Sequence, residues 1–566
     1  MRYFCVACDY DGTLAEHGRV SQRTVDALKR LRGTGRKLIL ASGRQLDDLI
    51  SVFPDIPLFE CVVAENGGLL YHVPTATATV LAEAPSAELI DELRRRDVQP
   101  LSVGQAIVAT WEPHEQTVLQ AIHDLNLDLQ VIFNKGAVMV LPSGVNKASG
   151  LLQALERLKL SPHNAVGVGD AENDLAFLAA CECAVAVGNA LDSVKARVHW
   201  VTPSDHGEGV VELVDRLIAS DLTELNARLT RRIPIGRTTD GEEVQLEPYD
   251  GNLLVAGPSG AGKTNVTTAL LENLCSARFQ FCVVDPEGDY DELSGAIALR
   301  GSDQAALIEE AMSVLDHPGE NAAINLMDLR LADRPLFLQQ LLPRLLELRA
   351  VTGRPHWIVI DEAHHLLPVS NLATDATLTS WTGNIVLVTV HPDHVAKGAL
   401  AMIRAALIVG RDPQATLTAV ARGRGEQPAI LPAHDEDPRS SWWLSIGSAP
   451  IKVRPIERSV DRQRHHRKYA KGELGEDRSF YFRGPDARLN LRAQNLELFK
   501  QIGDGVDDAT WTYHLQQHDV SRWFREVIKD ESLATEAEAI ESADLPASQS
   551  RTEIRQAIER RYTAPA

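Results

Sequence analysis

Asp9 and Asp11 stand two residues apart in the stretch Cys8-Asp-Tyr-Asp-Gly-Thr-Leu14, directly after the apolar run 3–7. That run reads as a buried first strand, which puts both carboxylates at its C-terminal end. In open α/β sheets ligands bind in the crevice beyond those ends. Gly12 frees the backbone to turn, and Thr13 adds a hydroxyl. Such a pair can divide labour, one ionised carboxylate attacking while its neighbour shuttles a proton. It can also bring magnesium to a phosphate, because that ion prefers a few carboxylates plus water and phosphate oxygens. An ordinary Asp-rich turn is the competing reading, and the residues downstream decide.

The strand-like run 37–41 empties into Ser42-Gly43-Arg44, where a hydroxyl and backbone amides ahead of a helix suit a phosphate oxygen. A plain capped turn has the same residues. Strand 61–64 leads to a further polar loop, Glu65-Asn66-Gly67-Gly68, and Lys147 opens a helical stretch over 147–158. A lysine there is a ready phosphate contact or a solvated surface cation. Strand 165–168 then empties into Gly169-Asp170-Ala171-Glu172-Asn173-Asp174. Carboxylates so crowded repel one another unless a cation sits among them. Found in this order, the clusters favour phosphate chemistry over a series of unrelated turns.

A second set follows. Strand 253–256 runs into Gly257-Pro-Ser259-Gly260-Ala261-Gly262-Lys263-Thr264 and then a helix. This is a complete P-loop: the glycines turn backbone amides toward phosphates, Lys263 reaches the β/γ oxygens and Thr264 supplies a magnesium ligand. Strand 357–360 ends in Asp361-Glu362, where Asp361 would support the magnesium and Glu362 would polarise an attacking water.

The elements that must hold these groups are legible in outline. Ser21 is placed to cap a helix over 22–32, and glycines 33 and 35 stop it. Residues 72–146 alternate strand-like pieces (106–111, 137–141) with amphipathic helices near 86–96 and 114–125. They read as a small inserted α/β piece able to close over the crevice, or as a continuation of the main sheet. Beyond 432 the pattern thins into aromatics (Trp442-Trp443, 480–482, Trp511, Trp523-Phe524), which suit a small helical core better than a stacking platform. The run 462–468, with His465 and His466, reads as a solvated linker, and the end from about 531 as a helical or disordered tail.

A chain of 566 residues exceeds one core and suggests three or four units. The formal charge of -21 argues against a whole-molecule grip on nucleic acid and against anionic membranes. No run spans a bilayer and no signal-peptide layout is present, so the expectation is a cytoplasmic protein. Of seven cysteines, those at 5, 61, 275 and 282 fall in apolar stretches and read as buried thiols; Cys181 and Cys183 lack the second pair a zinc site needs.

With these motifs in order, residues 1–222 resemble the haloacid dehalogenase (HAD) superfamily, in particular its Cof-type sugar-phosphatase branch with a cap at about 72–146. The resemblance implies a Rossmann-like domain, with Asp9 as the nucleophile forming an aspartyl-phosphate and Asp11 as general acid/base. Ser42 and Lys147 would hold the phosphoryl group. Asp170 would ligate Mg2+ with Asp9 and the Asp11 carbonyl, and Asp174 and Asn173 would orient that shell. Small phosphate monoesters of the sugar-phosphate or phosphoglycolate type are the implied substrates.

Residues 230–431 resemble the HerA/FtsK group of P-loop ATPases, through Ile233-Pro-Ile-Gly-Arg237, Asp285-Pro-Glu-Gly-Asp-Tyr290 and Asp361-Glu-Ala-His364. ATP binding and hydrolysis are implied. His391 takes the place where relatives often carry a polar γ-phosphate sensor, commonly Gln, and reads equally as a structural strand-end histidine; Arg404 or Arg411 reads as a surface arginine or as a finger reaching a neighbouring subunit. Members commonly form rings and pump DNA; the acidic balance does not favour that partner here, while a homo-oligomer through this unit stays open. Residues 432–566 complete the α/β multidomain layout as a small, mostly helical region. Two alternatives to a phosphatase fused to an ATPase remain. One is a DNA-linked or defence ATPase with an accessory nucleotide or DNA-end phosphatase, and the other is a kinase/phosphatase pair acting on one metabolite.

Overall fold

The computed structural model describes residues 1–562 except 135, 230–231, 250, 370–383, 432–440, 446–447, 457–473, 475–477, 486–488, 529 and 544. The run 462–468 lies outside the described residues. The chain forms two compact units, one of Met1–Arg231 with Asp316–Gly319 and Glu347–Arg354, the other of Arg232–Leu315, Glu320–Leu346 and Pro355–Ala566.

In the first unit the strands are β1 (Cys5–Asp9), β2 (Lys37–Ala41), β3 (Cys61–Ala64), β4 (Leu69–His72), β5 (Thr77–Val80), β6 (Ser102–Val103), β7 (Val108–Trp111), β8 (Leu129–Asn134), β9 (Ala137–Pro142), β10 (Ala165–Gly169), β11 (Cys183–Ala186) and β12 (Trp200–Val201). The main sheet runs β12-β11-β10-β1-β2-β3-β4-β5, parallel from β12 to β3. Its central strands are apolar on both faces because both are covered. Val6, Cys8, Leu38 and Leu40 enter one core, and Cys5, Ala7, Ile39 and Ala41 the other. The chain order reverses at β1, between β2 and β10, so a crevice opens beyond the C-terminal ends of these strands.

The inserted piece is a four-stranded antiparallel sheet, β6-β7-β9-β8, with helices Ala87–Arg95 and Glu115–Asp124 on one face. Ser86 caps the first helix by accepting from Leu89 N–H. The insertion expected from residue 72 begins later, since β4 and β5 pair antiparallel at the edge of the main sheet. All four residues of β5 are exposed, so no apolar alternation marks it as a strand.

In the second unit the strands continue as β13 (Ile233–Thr238), β14 (Glu243–Leu246), β15 (Leu253–Ala256), β16 (Phe281–Asp285), β17 (Ile297–Arg300), β18 (Ala322–Asn325), β19 (Trp357–Ile360), β20 (Asn384–Thr389), β21 (Ala405–Ile408), β22 (Ser441–Ser445) and β23 (Ile451–Pro455). They form one sheet, β14-β13-β23-β22-β21-β15-β20-β19-β16-β18-β17, parallel from β21 to β17. Trp442 and Trp443 therefore belong to β22 of this sheet and not to a helical core, because β22 pairs antiparallel with β21 and buries both rings. The separate helical region expected from 432 therefore does not include residues 441–445 and 451–455, which extend the sheet of the second unit as β22 and β23.

Further on, strands β24 (Phe480–Phe482) and β25 (Leu491–Ala493) pair beside helices Leu496–Gly505, Asp508–Gln516, Asp519–Glu526, Glu531–Glu541 and Ala547–Tyr562. Phe480, Phe482, Phe499, Trp511, Trp523 and Phe524 pack together in their core. The last two helices are no tail: Leu533, Ile540, Ile554 and Ile558 are buried in the same core. No helix among the described residues is long and apolar enough to cross a membrane.

One close approach sets the height of the Lys147 helix over the sheet. Gly67 has φ +107°, and a Cβ there would stand 2.0 Å from the Asn146 carbonyl oxygen and 3.1 Å from Lys147 N. Gly67→Ala is expected to cost at least about 1–2 kcal/mol from the left-handed backbone alone, with the steric overlap added. Thermal unfolding followed by near-UV circular dichroism should show a lowered transition; an unchanged one would contradict the packing.

Candidate active site

Register places the first groups. Asp9 pairs with Ala41 at the ends of β1 and β2, so Ser42 is the next residue out on the neighbouring strand. On the other side Cys8 pairs with Val168, which brings Asp170 to the same edge. Lys147 reaches this edge from the first turn of helix Lys147–Arg157. That turn is fixed by a capping box in which Asn146 accepts from Ser149 N–H and Ser149 Oγ accepts from Asn146 N–H.

The side chains converge. Lys147 Nζ donates to Asp9 Oδ1 at 2.5 Å and to Asp174 Oδ1 at 2.7 Å, and all three residues are buried. The other Asp174 oxygen accepts from the backbone N–H groups of Asp170 and Ala171, at 2.9 and 3.0 Å. Thr13 Oγ1 donates to Asp170 Oδ1 at 3.2 Å. Oxygens of Asp9, Asp170 and Asp174 lie within 4.8 Å of one another.

The electrostatics of this cluster are demanding. Burial pushes the Asp9 carboxyl well up, Asp174 and Asp170 add to the rise, and Lys147 opposes it. Burial works against the Lys147 charge, but Asp174 and Asp9 outweigh it and raise the ammonium above its ordinary value. Ionising all three carboxylates around one ammonium would leave an excess of negative charge out of water, which a bound divalent cation would balance. An oxygen-only donor set of this kind suits magnesium.

Asp11 points elsewhere. Its two oxygens accept from Arg44 Nε and Nη2 at 2.7 and 2.8 Å, while Arg44 Nη1 donates to Asp48 at 2.7 Å. Paired carboxylates raise the Arg44 guanidinium above its usual value. Ser42 is fully buried and its Oγ accepts from Arg44 N–H. Asn173 Nδ2 donates to Asn66 Oδ1 at 3.4 Å, so it faces the β3 loop. The inserted sheet overhangs these loops: Glu65 accepts from the backbone N–H groups of Gln105 and Ala106, and Gln45 donates to Ser102 Oγ.

In the second unit the P-loop follows β15 and opens helix Lys263–Ser276, with Gly260 and Gly262 at φ +73° and +93°. Gly257 passes so close to β21 that a Cβ would stand 2.2 Å from the Val409 carbonyl oxygen. Lys263 Nζ donates to Pro258 O at 3.0 Å, folding the lysine back over its own loop. Ser259 and Ala261 lie in the same turn, and Thr264 Oγ1 donates to Asp289 Oδ2 at 3.2 Å. Asp361 is buried at the end of β19; burial raises its carboxyl, and Glu362, Asp285 and Asp289 add to the rise. Glu362 is held at φ +44° and lies 3.3 Å from His364 Nδ1.

His391 follows β20 and packs edge-on to His364, with ring centroids 5.2 Å apart, and His364 Nδ1 is the atom beside Glu362. Arg411 is exposed just past Gly410, which abuts Pro258 and Ala261 of the P-loop. Arg404 precedes β21 at the opposite end of the strand and is not brought to the P-loop of its own chain. Sequence reasoning missed Arg44 and Asp289 as site residues. Both lie inside motifs already singled out, and their charge facing an assigned residue was the available signal.

Two family models match the chain: a haloacid dehalogenase-like hydrolase over residues 6–115 and 99–214, and an AAA domain over 247–389. A phosphoglycolate phosphatase of Methanothermobacter thermautotrophicus is 32% identical over 223 residues, which are 38% of this chain and 98% of that protein. One from Methanosarcina acetivorans is 26% identical over 222 residues, 38% of this chain and 97% of its own length. The crystal structure of a haloacid dehalogenase-like hydrolase from Bacteroides thetaiotaomicron aligns at 20% identity and a TM-score of 0.35, covering 38% of this chain and 100% of that one.

Lys147→Met keeps the packing volume and removes the cation. In chelator it should lower stability of the N-terminal unit by about 3–5 kcal/mol, the range for breaking one partner out of a buried ion pair. Urea unfolding checks this, and an unchanged midpoint would contradict the charge balance described.

Proposed function

From the premise that this chain belongs to the haloacid dehalogenase-like hydrolases, we propose a Mg2+-dependent phosphatase for a small monoester of the phosphoglycolate or sugar-phosphate type. The observation that carries the reading is the buried Lys147 ammonium, shared between Asp9 and Asp174 beside Asp170. The names of the matched relatives favour the phosphoglycolate end of that range.

Asp9 Oδ attacks phosphorus and the P–O bond to the leaving alcohol breaks, giving an aspartyl-phosphate and an alkoxide that takes its proton from Asp11. Water then attacks the same phosphorus, Asp11 receives its proton, and the bond to Asp9 breaks to release phosphate. Asp11 can serve the ester only by turning from Arg44, which holds both its oxygens. Ser42 and Lys147 orient the phosphoryl oxygens, and Lys147 offsets charge on Asp9. Asp9, Asp170 and the Asp11 carbonyl would hold Mg2+, with Asp174 fixing the Asp170 loop; bound there, the ion supplies charge neutralisation for phosphoryl transfer.

The second unit binds and hydrolyses ATP in this reading. Lys263 and the P-loop amides would take the phosphates, Thr264 and Asp361 would hold Mg2+, and Glu362 would orient the water, with His391 and Arg411 as candidates for sensing the γ-phosphate. A phosphatase unit from residue 1 to about 222 and an ATPase unit from about 230 would then be separate engines on one chain.

The test is a screen over phosphoglycolate, sugar phosphates and nucleotides, with and without ATP, on wild type, Asp9→Asn and Lys263→Ala. Asp9→Asn should abolish phosphate release from the monoester, at least about 1000-fold, and leave ATP turnover intact. Lys263→Ala should do the converse, and chelation should stop both. Loss of both activities in either variant would overturn the two-engine reading. DNA-stimulated ATP turnover would favour a nucleic-acid motor, and ATP-dependent phosphorylation of the same metabolite a kinase/phosphatase pair.

A further inference from the structure

The loop that carries Asp11 is gripped from behind at a single atom. The Gly12 carbonyl oxygen accepts from Asn189 Nδ2 at 2.8 Å and faces His206 Nδ1 at 2.8 Å. A carbonyl can only accept, so His206 must carry its proton on Nδ1. Asn189 Oδ1 in turn accepts from His206 N–H at 2.7 Å, which closes a three-residue ring of hydrogen bonds.

The surrounding backbone is arranged to make that ring. His206 sits at φ +46°, a left-handed conformation unfavourable for a residue with a Cβ. Next to it, a Cβ on Gly207 would stand 2.3 Å from Thr24 Oγ1 and 3.0 Å from the Leu14 carbonyl oxygen, so the start of helix His206–Ser220 presses against the loop. The Asn189 segment is tied on both sides, Gly188 N–H to Ser204 O and Leu191 N–H to Asp170 O, each at 2.9 Å. Gly12 itself has φ +91° and lies between Asp11 and the Thr13 that donates to Asp170. Fixing its carbonyl fixes the Gly12–Thr13 peptide plane, one residue past Asp11, and so limits how the loop can carry Asp11.

We propose that Asn189 and His206 are positioning residues that hold the Gly12 carbonyl, and through it set Asp11 for proton transfer. The inference rests on the phosphatase reading above. Its signature is selectivity for the leaving group. An alkoxide needs a proton from Asp11 to depart, whereas p-nitrophenolate departs as a stabilised anion. Because kcat/KM covers steps only through formation of the aspartyl-phosphate, it isolates the acid role.

The full-length protein is assayed with p-nitrophenyl phosphate and with the best alkyl monoester of the screen. Asn189→Ala and His206→Ala should lower kcat/KM for the alkyl ester about 100-fold and for the aryl ester by less than about threefold, matching the selectivity of Asp11→Asn. The double variant should lose little more than the worse single one, since both act on one carbonyl. His206→Gln, which keeps an N–H within reach, should recover most of the loss. If the alanine variants do not fold, Asn189→Asp replaces the N–H donor by an oxygen at equal volume and should show the same selectivity. Equal losses on the two esters, additive losses, or no loss would overturn the proposal. A wild type inert on both esters, or a fully active Asp9→Asn, would remove the phosphatase reading and this inference with it. An inactive Asp9→Asn and a selective Asp11→Asn beside unselective Asn189 and His206 variants would remove the inference alone.

Discussion

A single buried ammonium holds the N-terminal site together. Lys147 lies within hydrogen-bond distance of carboxylates from two separate strand exits, Asp9 at the end of β1 and Asp174 in the turn after β10. Charges taken out of water are tolerated only when paired and hydrogen-bonded, so each loop depends on the lysine and the lysine on both. Much of the nearby backbone follows from this demand. The Asn146 capping box fixes the turn that presents the lysine, Gly67 lets that turn come close to the β3 loop, and Asp174 uses its second oxygen to shape the Asp170 loop. The same pairing leaves carboxylate charge over when all three acids are ionised, and a divalent cation would balance it.

The second unit solves a related problem with different parts. Its acidic groups, Asp361, Glu362, Asp285 and Asp289, gather at the ends of parallel strands beside a P-loop whose lysine folds back on Pro258. Asp285 accepts from the backbone N–H groups of Glu287, Gly288 and Tyr290, so it shapes its loop, while Asp289 meets Thr264. Both units therefore gather their candidate site residues at the carboxyl edge of a parallel sheet, where loops are free to carry polar groups that a core would reject.

Local motifs were legible because strand ends announce themselves. An apolar run followed by Asp, Ser-Gly or Gly-Asp fixes both the element and its exit, which is why Asp9, Ser42, Asp170, Lys263 and Asp361 could be read from the chain. What escaped depends on contacts distant in sequence. Asn189 and His206 lie far from Gly12 along the chain, and neither residue type stands out where it occurs. Strand β5 escaped because it is exposed throughout, and Trp442-Trp443 were misplaced because aromatics mark burial without saying in which core. The last helices looked like a tail because their buried face relies on alanines 534, 537 and 557 between few large residues. Small side chains allow close helix packing but give a weak periodic signal.

The account stands on Asp9 becoming covalently phosphorylated. The direct measurement is to quench the enzyme in acid during turnover of p-nitrophenyl phosphate, reduce the acyl-phosphate with borohydride, and locate the resulting homoserine by peptide mass mapping. Homoserine at position 9 is the result the account predicts. An unmodified Asp9 under conditions of rapid turnover, or homoserine at position 11 or 170 instead, would contradict it.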